Sequence, residues 1–235
     1  AWHVIAPNTS GQTIKQSWME NGDNSVNNYG INLTGAAGGG WDGVSPAPAI
    51  KYYVPNSGQG AWAGAANSGV LLDSKNAWMV FVRGDRSVTG QWDAPKPTTL
   101  RSKGTIKTGT QTIPIPAIAN GFYLIGNPYP SAVDARLITG LGTTGTYYVW
   151  NPNQGGDYGL GAYQTFAYNG TNYISVPQKT GKPDTIYNNI QSGQGFFVQT
   201  TGTAYDVIFN ESAKVDPSDN TMFFRGNGEG SRQVG

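Results

Sequence analysis

Cysteine is absent from the 235 residues, so no disulfide staples the chain and no thiolate serves as nucleophile or soft metal ligand. Histidine occurs once, as His3, which rules out a two-histidine zinc site and would make any Ser-His-Asp relay depend on a residue inside an apparent strand. Glutamate is also scarce, with only Glu20, Glu211 and Glu229. Charged residues make up 12% of the chain, well under the usual share of roughly 25%. Fifteen Lys and Arg against fourteen Asp and Glu give a net charge of +1, so nothing favours a phosphate backbone or an anionic lipid surface, and nucleic acid is excluded as a partner. Long apolar runs are missing as well. Trp78-Met79-Val80-Phe81-Val82 has strand length, far below the ~20 residues that cross a bilayer, so membrane insertion is not expected.

What the chain does contain is aromatic and turn-forming: seven Trp, thirteen Tyr and eight Phe, with 34 Gly and 14 Pro. That much ring area offsets chain entropy and separates the low charge from disorder. A chain of this length removes roughly 70–75% of its unfolded surface on folding and needs no metal or disulfide. It begins at Ala1-Trp2 rather than Met, as expected of a processed product or of a piece of a longer polypeptide.

The chain also resembles itself. Trp2-His3-Val4-Ile5-Ala6-Pro7-Asn8 returns as Phe122-Tyr123-Leu124-Ile125-Gly126-Asn127-Pro128; Lys51-Tyr52-Tyr53-Val54 as Thr146-Tyr147-Tyr148-Val149-Trp150; and Ala77-Trp78-Met79-Val80-Phe81-Val82 as Gly193-Gln194-Gly195-Phe196-Phe197-Val198. After the first landmark of each copy, apolar residues stand four apart, Ile14 with Trp18 and Val133 with Leu137, a spacing that predicts one short helix per half. The join is Ile113-Pro114-Ile115-Pro116, an extended stretch. Elsewhere short Val-, Ile-, Tyr- and Thr-rich segments alternate between one buried and one wet face, as in Tyr205-Asp206-Val207-Ile208-Phe209. The expected fold is all-β, a sandwich or jelly-roll-like architecture in two tandem related lobes, residues 1–115 and 116–235.

Candidate sites are few. Trp41, Trp62, Trp92 and Trp150 lie in or beside Gly-, Pro- and Asn-rich connections, where an exposed ring could stack on a sugar; the alternative is that they close the ends of the sandwich. Asp216-Pro217-Ser218-Asp219-Asn220 gathers oxygen ligands but lacks the twelve-residue calcium loop, and an Asx turn is the simpler reading. The glycine runs at 35–43 and 155–161 are not followed by Lys-Ser/Thr or by a helix, and read as turns rather than phosphate loops. No catalytic residue, metal or cofactor is expected.

The stretch Phe122 to Ser131, containing Gly126-Asn127-Pro128-Tyr129-Pro130-Ser131, then Tyr148-Val149-Trp150-Asn151-Pro152, then Gly193-Gln194-Gly195-Phe196-Phe197-Val198, resembles a motif series in secreted and cell-surface proteins of the Bacteroidetes. These are stalk or passenger regions of type IX secretion substrates, adhesins among them. The resemblance implies an extracellular or cell-surface location, an O-glycan at Thr185 in Asp184-Thr185-Ile186, and no transferable catalytic residue. The low charge and this resemblance together point to a structural or adhesive module whose partners are copies of itself or neighbouring domains of a longer chain; a sheet left incomplete at a chain terminus would let neighbours exchange strands and form a filament. A carbohydrate-binding module, with glycans as partners, is the alternative.

Overall fold

Strand formers punctuated by Gly, Asn and Pro divide the chain into many short strands. The computed structural model describes residues 1–90, 92–152, 154, 161–177 and 186–216. The strands are β1 (Trp2–Ile5), β2 (Thr9–Ser10), β3 (Thr34–Gly35), β4 (Gly43–Val44), β5 (Ile50–Val54), β6 (Ala61–Gly64), β7 (Trp78–Phe81), β8 (Thr105–Ile106) and β9 (Gln111–Ile115). They continue with β10 (Ala119–Gly126), β11 (Ala132–Asp134), β12 (Thr146–Asn151), β13 (Ala162–Tyr168), β14 (Tyr173–Val176), β15 (Asn189–Ile190), β16 (Gly195–Thr201), β17 (Tyr205–Phe209) and β18 (Lys214–Val215). The fold is all-β and sandwich-like. Among the described residues the helical segments are three-residue 3₁₀ turns, none of which could cross a membrane.

Two antiparallel sheets dominate, ordered β1-β7-β5-β6 and β10-β16-β12-β13-β14. The landmarks that repeat in the sequence fall on β1 and β10, β5 and β12, β7 and β16, so the strand orders match position by position. The four-residue spacings are not helical. Ile14 and Trp18 are buried, but in a run of turns that ends where Glu20 and Asn21 adopt positive φ. Val133 lies in β11, and Leu137 closes a 3₁₀ turn begun when Asp134 accepts a hydrogen bond from the Arg136 amide at 2.9 Å. The join also sits elsewhere than the sequence suggests: β9 pairs with β17 of the second lobe, and Ile113 and Ile115 enter that lobe's core while Pro114 stays outside.

The central strands β7 and β16 are buried on both faces, which explains why they read as continuous apolar runs. In β7, Trp78 and Val80 face the first-lobe core and Met79 faces the other sheet. In β16, Phe196 and Val198 face the second-lobe core and Phe197 faces the seam; Tyr147 and Val149 of β12 alternate likewise with Tyr148 and Trp150. Between the sheets the glycines Gly126 and Gly195 pair with each other. A Cβ on Gly126 would come within 2.2 Å of the Ala6 Cβ, and one on Gly195 within 2.5 Å of Val4 Cγ1 and 2.9 Å of the Ala77 Cβ.

That contact predicts that Gly126→Ala destabilises the protein by about 2 kcal/mol through overpacking of the seam. Gly142→Ala, where an added Cβ meets nothing within 4 Å, should leave the urea midpoint nearly unchanged, and equal midpoints for the two variants would refute the close-packed seam.

Candidate functional site

The alternation of β6 and β12 decides where their tryptophans go. Trp62 packs on the seam side, edge-to-face with Tyr53 at 5.4 Å and with Phe197 at 5.9 Å between ring centroids. Trp150 donates its indole N–H to the Trp2 carbonyl at 2.9 Å and meets Tyr163 edge-to-face at 5.0 Å. Tyr163 in turn lies 5.6 Å from Phe197, so Trp62 and Trp150 belong to one aromatic cluster. Burial of the Tyr163 phenol among these rings raises its pKa to about 12. Trp41 packs on the first-lobe core against Gly35 and Gly39, and its buried indole N–H has no hydrogen-bond partner among the described residues. Trp92 alone of the four stands free, 90% exposed, on a turn closed by the Gly90 amide and the Asp93 carboxylate at 2.7 Å. Thr185 and residues 217–220 lie outside the described residues.

A groove of about 500 Å³ opens at the rim of the seam. Its walls are Tyr52 and Tyr53 of β5, Lys75 and Asn76 of the turn before β7, and Ile118 and Tyr123 from the approach to and the middle of β10. Lys75 Nζ sits 4.4 Å over the Tyr52 ring, and the Tyr53 hydroxyl accepts a hydrogen bond from the Gly60 amide at 2.7 Å. Lys75 is the one charged side chain among the described lining residues, so the groove offers ring faces, an amide and a cation, a chemistry of stacking and hydrogen bonding rather than of proton transfer. Sequence reasoning passed over it because Tyr52-Tyr53 reads only as a strand landmark and Tyr123 is 70 residues away; no local pattern announces that the two meet.

The ionisable groups of the first lobe are committed to its long loops. Arg86, with no exposed side-chain surface, forks onto Asp42 at 2.6 and 2.8 Å and also donates to the Ile31 carbonyl at 2.8 Å and to Asn24 Oδ1 at 2.5 Å. Glu20 is buried and receives Arg101 at 2.6 and 3.0 Å and Lys103 at 2.6 Å. Burial alone would raise the Glu20 carboxyl, but the hydrogen bonds and charges of Arg101 and Lys103 outweigh it and hold the pKa below 4.5. His3 lies in β1 opposite Val80, away from these clusters of charge.

Residues 43–234 match a family model described as a domain of unknown function, DUF8693. The chain belongs to that family. No curated protein matches the chain, and no solved structure does. The matched range takes in all of the second large sheet and β5, β6 and β7 of the first, but begins after β1 and after Val4 and Ala6 of the seam.

The depressed Glu20 carboxyl sets a direction for pH. Its contribution to stability is complete above its unfolded pKa near 4.5 and is lost as pH falls through the lower folded value. Glu20→Gln should therefore cost about 2 kcal/mol at pH 7, less than a fully buried pair because Arg101 and Lys103 are partly exposed. The difference from the parent chain should shrink below pH 4.5. Denaturant unfolding at pH 7 and pH 3 measures it, and a pH-independent difference would remove Glu20 from the account.

Proposed function

We propose that the chain is an extracellular structural or adhesive module that acts through shape and surface and catalyses nothing. The observation that carries the reading is the seam: two sheets of matching strand order, each already buried on its outer face, joined by glycine contacts and an aromatic cluster into a single unit. Such a unit resists relative motion of its lobes, which suits a load-bearing or display role outside the cell. The low charge and the resemblance to Bacteroidetes surface proteins support the same location and suggest copies of the chain, or neighbouring domains, as partners. Thr185 is the acceptor if the module is O-glycosylated. Its N-terminal strand is an unsuitable donor for strand exchange, because Trp2–Ile5 already completes its ladder with Trp78–Phe81 of the same chain.

A second reading is favoured by the groove, whose three tyrosines and Lys75 form a lining suited to glycan binding.

Two measurements separate these readings. Protease treatment of intact producing cells should remove the protein, and negative-stain images of the native material should show stalks or assemblies; protection from the protease would overturn the surface reading. For the groove, Tyr123→Ala should weaken binding to any glycan retained on an array by about tenfold, while Trp92→Ala, outside the groove lining, should not. The reverse order would move the platform to Trp92.

A further inference from the structure

The two large sheets correspond through their fourth strand and then differ. In the second, β13 carries a further antiparallel neighbour, with Thr165–Tyr168 of β13 against Tyr173–Val176 of β14. In the first, β6 holds the corresponding place and is the last strand. The Ala65 amide donates to the Ile50 carbonyl at 3.2 Å, and with Tyr52 opposite Ala63 this fixes the alternation. Ala61 and Ala63 turn their backbone groups toward β5, while Trp62 and Gly64 turn theirs outward. The outward N–H and C=O groups of Trp62 and Gly64 have no hydrogen-bond partner among the described residues. The other edges are each covered in part. Ser57 Oγ and the Gly58 amide bond to the Ala119 and Asn120 carbonyls of β10, the Trp150 indole occupies the Trp2 carbonyl of β1, and Ile186 bridges Ile174 of β14.

We propose that β6 is a self-pairing edge, at which a second copy of this chain adds its own β6 antiparallel about a two-fold axis through Ala63. In that register Trp62 of each copy faces Gly64 of the other, and each such pair exchanges two backbone hydrogen bonds, so every outward group is satisfied. The first sheets of the two copies then form one continuous sheet of twice the width. The second lobe shows the same position filled, by β14 on β13.

The absence of charge at this edge favours a second copy as the occupant. Natural edges resist self-association with Lys, Pro or inward-pointing charge, and Ala61-Trp62-Ala63-Gly64 has none of these. Residues 52–72, which hold β6 and the connections on either side of it, include no charged residue at all, so a two-fold axis here brings no like charges together. Ala61, Ala63 and Gly64 are also too small to block an approaching strand. A strand of four residues gives a short ladder, so the pairing is expected to be weak in dilute solution and to strengthen where copies are crowded. The proposal goes beyond the structural or adhesive reading and does not need it: a dimer could form whether or not the protein is at the surface, and cell-surface protease treatment tests only the latter.

The absence of cysteine makes the test clean, since a single introduced thiol is the only one present. Across the proposed axis the two copies of residue 63 form a non-hydrogen-bonded pair with Cα atoms about 4.5 Å apart, within the range that a disulfide spans. Ala63→Cys should form a covalent dimer under mild oxidation at least about tenfold faster than Thr203→Cys, which places a thiol on an exposed turn. Sedimentation of the unmodified chain should show a monomer–dimer equilibrium. Ala63→Lys, which sets two ammonium groups directly opposite each other, should return it to monomer with an unchanged melting temperature. Equal cross-linking rates, a monomer at every concentration, assemblies larger than the dimer, or a dimer indifferent to Ala63→Lys would each overturn the proposal. If Ala63→Lys lowers the melting temperature, the two cysteine variants decide alone.

Discussion

The contact between the paired glycines and the first sheet governs the geometry of the whole chain. Facing sheets are normally kept about 10 Å apart by interdigitating side chains. Here Gly126 and Gly195 have no side chain to offer, and Ala6, Val4 and Ala77 fill the space directly over their backbone. Main chain then meets main chain: the Ala6 amide donates to the Gly193 carbonyl at 2.8 Å, and Ile5 bridges Gln194. With one corner of the seam closed by backbone, the larger rings of Tyr53, Trp62, Phe122, Tyr148 and Trp150 fill the rest. The groove lies beside this contact, with Tyr52 and Tyr53 of β5 on one wall and Ile118 and Tyr123 on the other.

The residues that give the sequence its most recognisable motifs hold this corner in place. Asn127 is fully buried; its side-chain N–H groups donate to the Ser131, Ile190 and Gln191 carbonyls at 2.7 to 3.2 Å, and its oxygen accepts the Tyr129 amide at 3.0 Å. The Tyr129 hydroxyl is shared between the Gly109 and Phe209 carbonyls at 2.6 and 2.8 Å, tying the turn before β9 and the end of β17 to the same point. Gln194 supplies its carbonyl to the Asn127 amide and its side-chain oxygen to the Gln191 amide and the Tyr187 hydroxyl. Each of these groups would be costly to bury unpaired. The buried polar residues of these motifs therefore report how two strands cross, while Tyr123 of the same stretch reaches the groove.

Period and landmark order made the sheets legible. The alternation in β16 and β12, and the order in which aromatic-rich segments recur, follow from the two-residue repeat of a strand and survive in any single sequence. The misread spacings fail for a physical reason too. Residues four apart share a helix face, but Ile14 and Trp18 reach the same core through turns, and Val133 and Leu137 part company because the Asp134 side chain starts a new turn between them. The assignment of Ile113-Pro114-Ile115-Pro116 to a linker overlooked that a proline-containing segment can be an edge strand when Pro stands at the outward position, as Pro114 does opposite Asp206. The ring directions of Trp62 and Trp150 were illegible, since they depend on which face of each sheet meets the other lobe, a fact of tertiary packing alone.

The lobes share a strand order but satisfy their buried polar groups by different chemistry. The first relies on ions: Arg86 with Asp42, and Glu20 with Arg101 and Lys103, strap the connections at 15–44 and 83–103 to each other. The second relies largely on phenols, with Tyr129, Tyr147 and Tyr205 donating to backbone carbonyls and Tyr187 to Gln194. Burial pushes the Tyr147 hydroxyl well above 10, so that lobe's network keeps its protons across the whole neutral and acid range. The carboxylates of the first lobe do not share that indifference, because protonating Glu20 leaves two cations without a counter-charge. Acid therefore acts on the first lobe through Glu20 and on the second through Asp134, which is buried against Arg136 and held below its ordinary pKa, while the described residues of the seam are glycines, aliphatic groups and rings. A duplicated architecture thus buries its polar groups by different means in its two lobes, with one acid-sensitive carboxylate pair in each, joined through a layer of glycine contacts and rings.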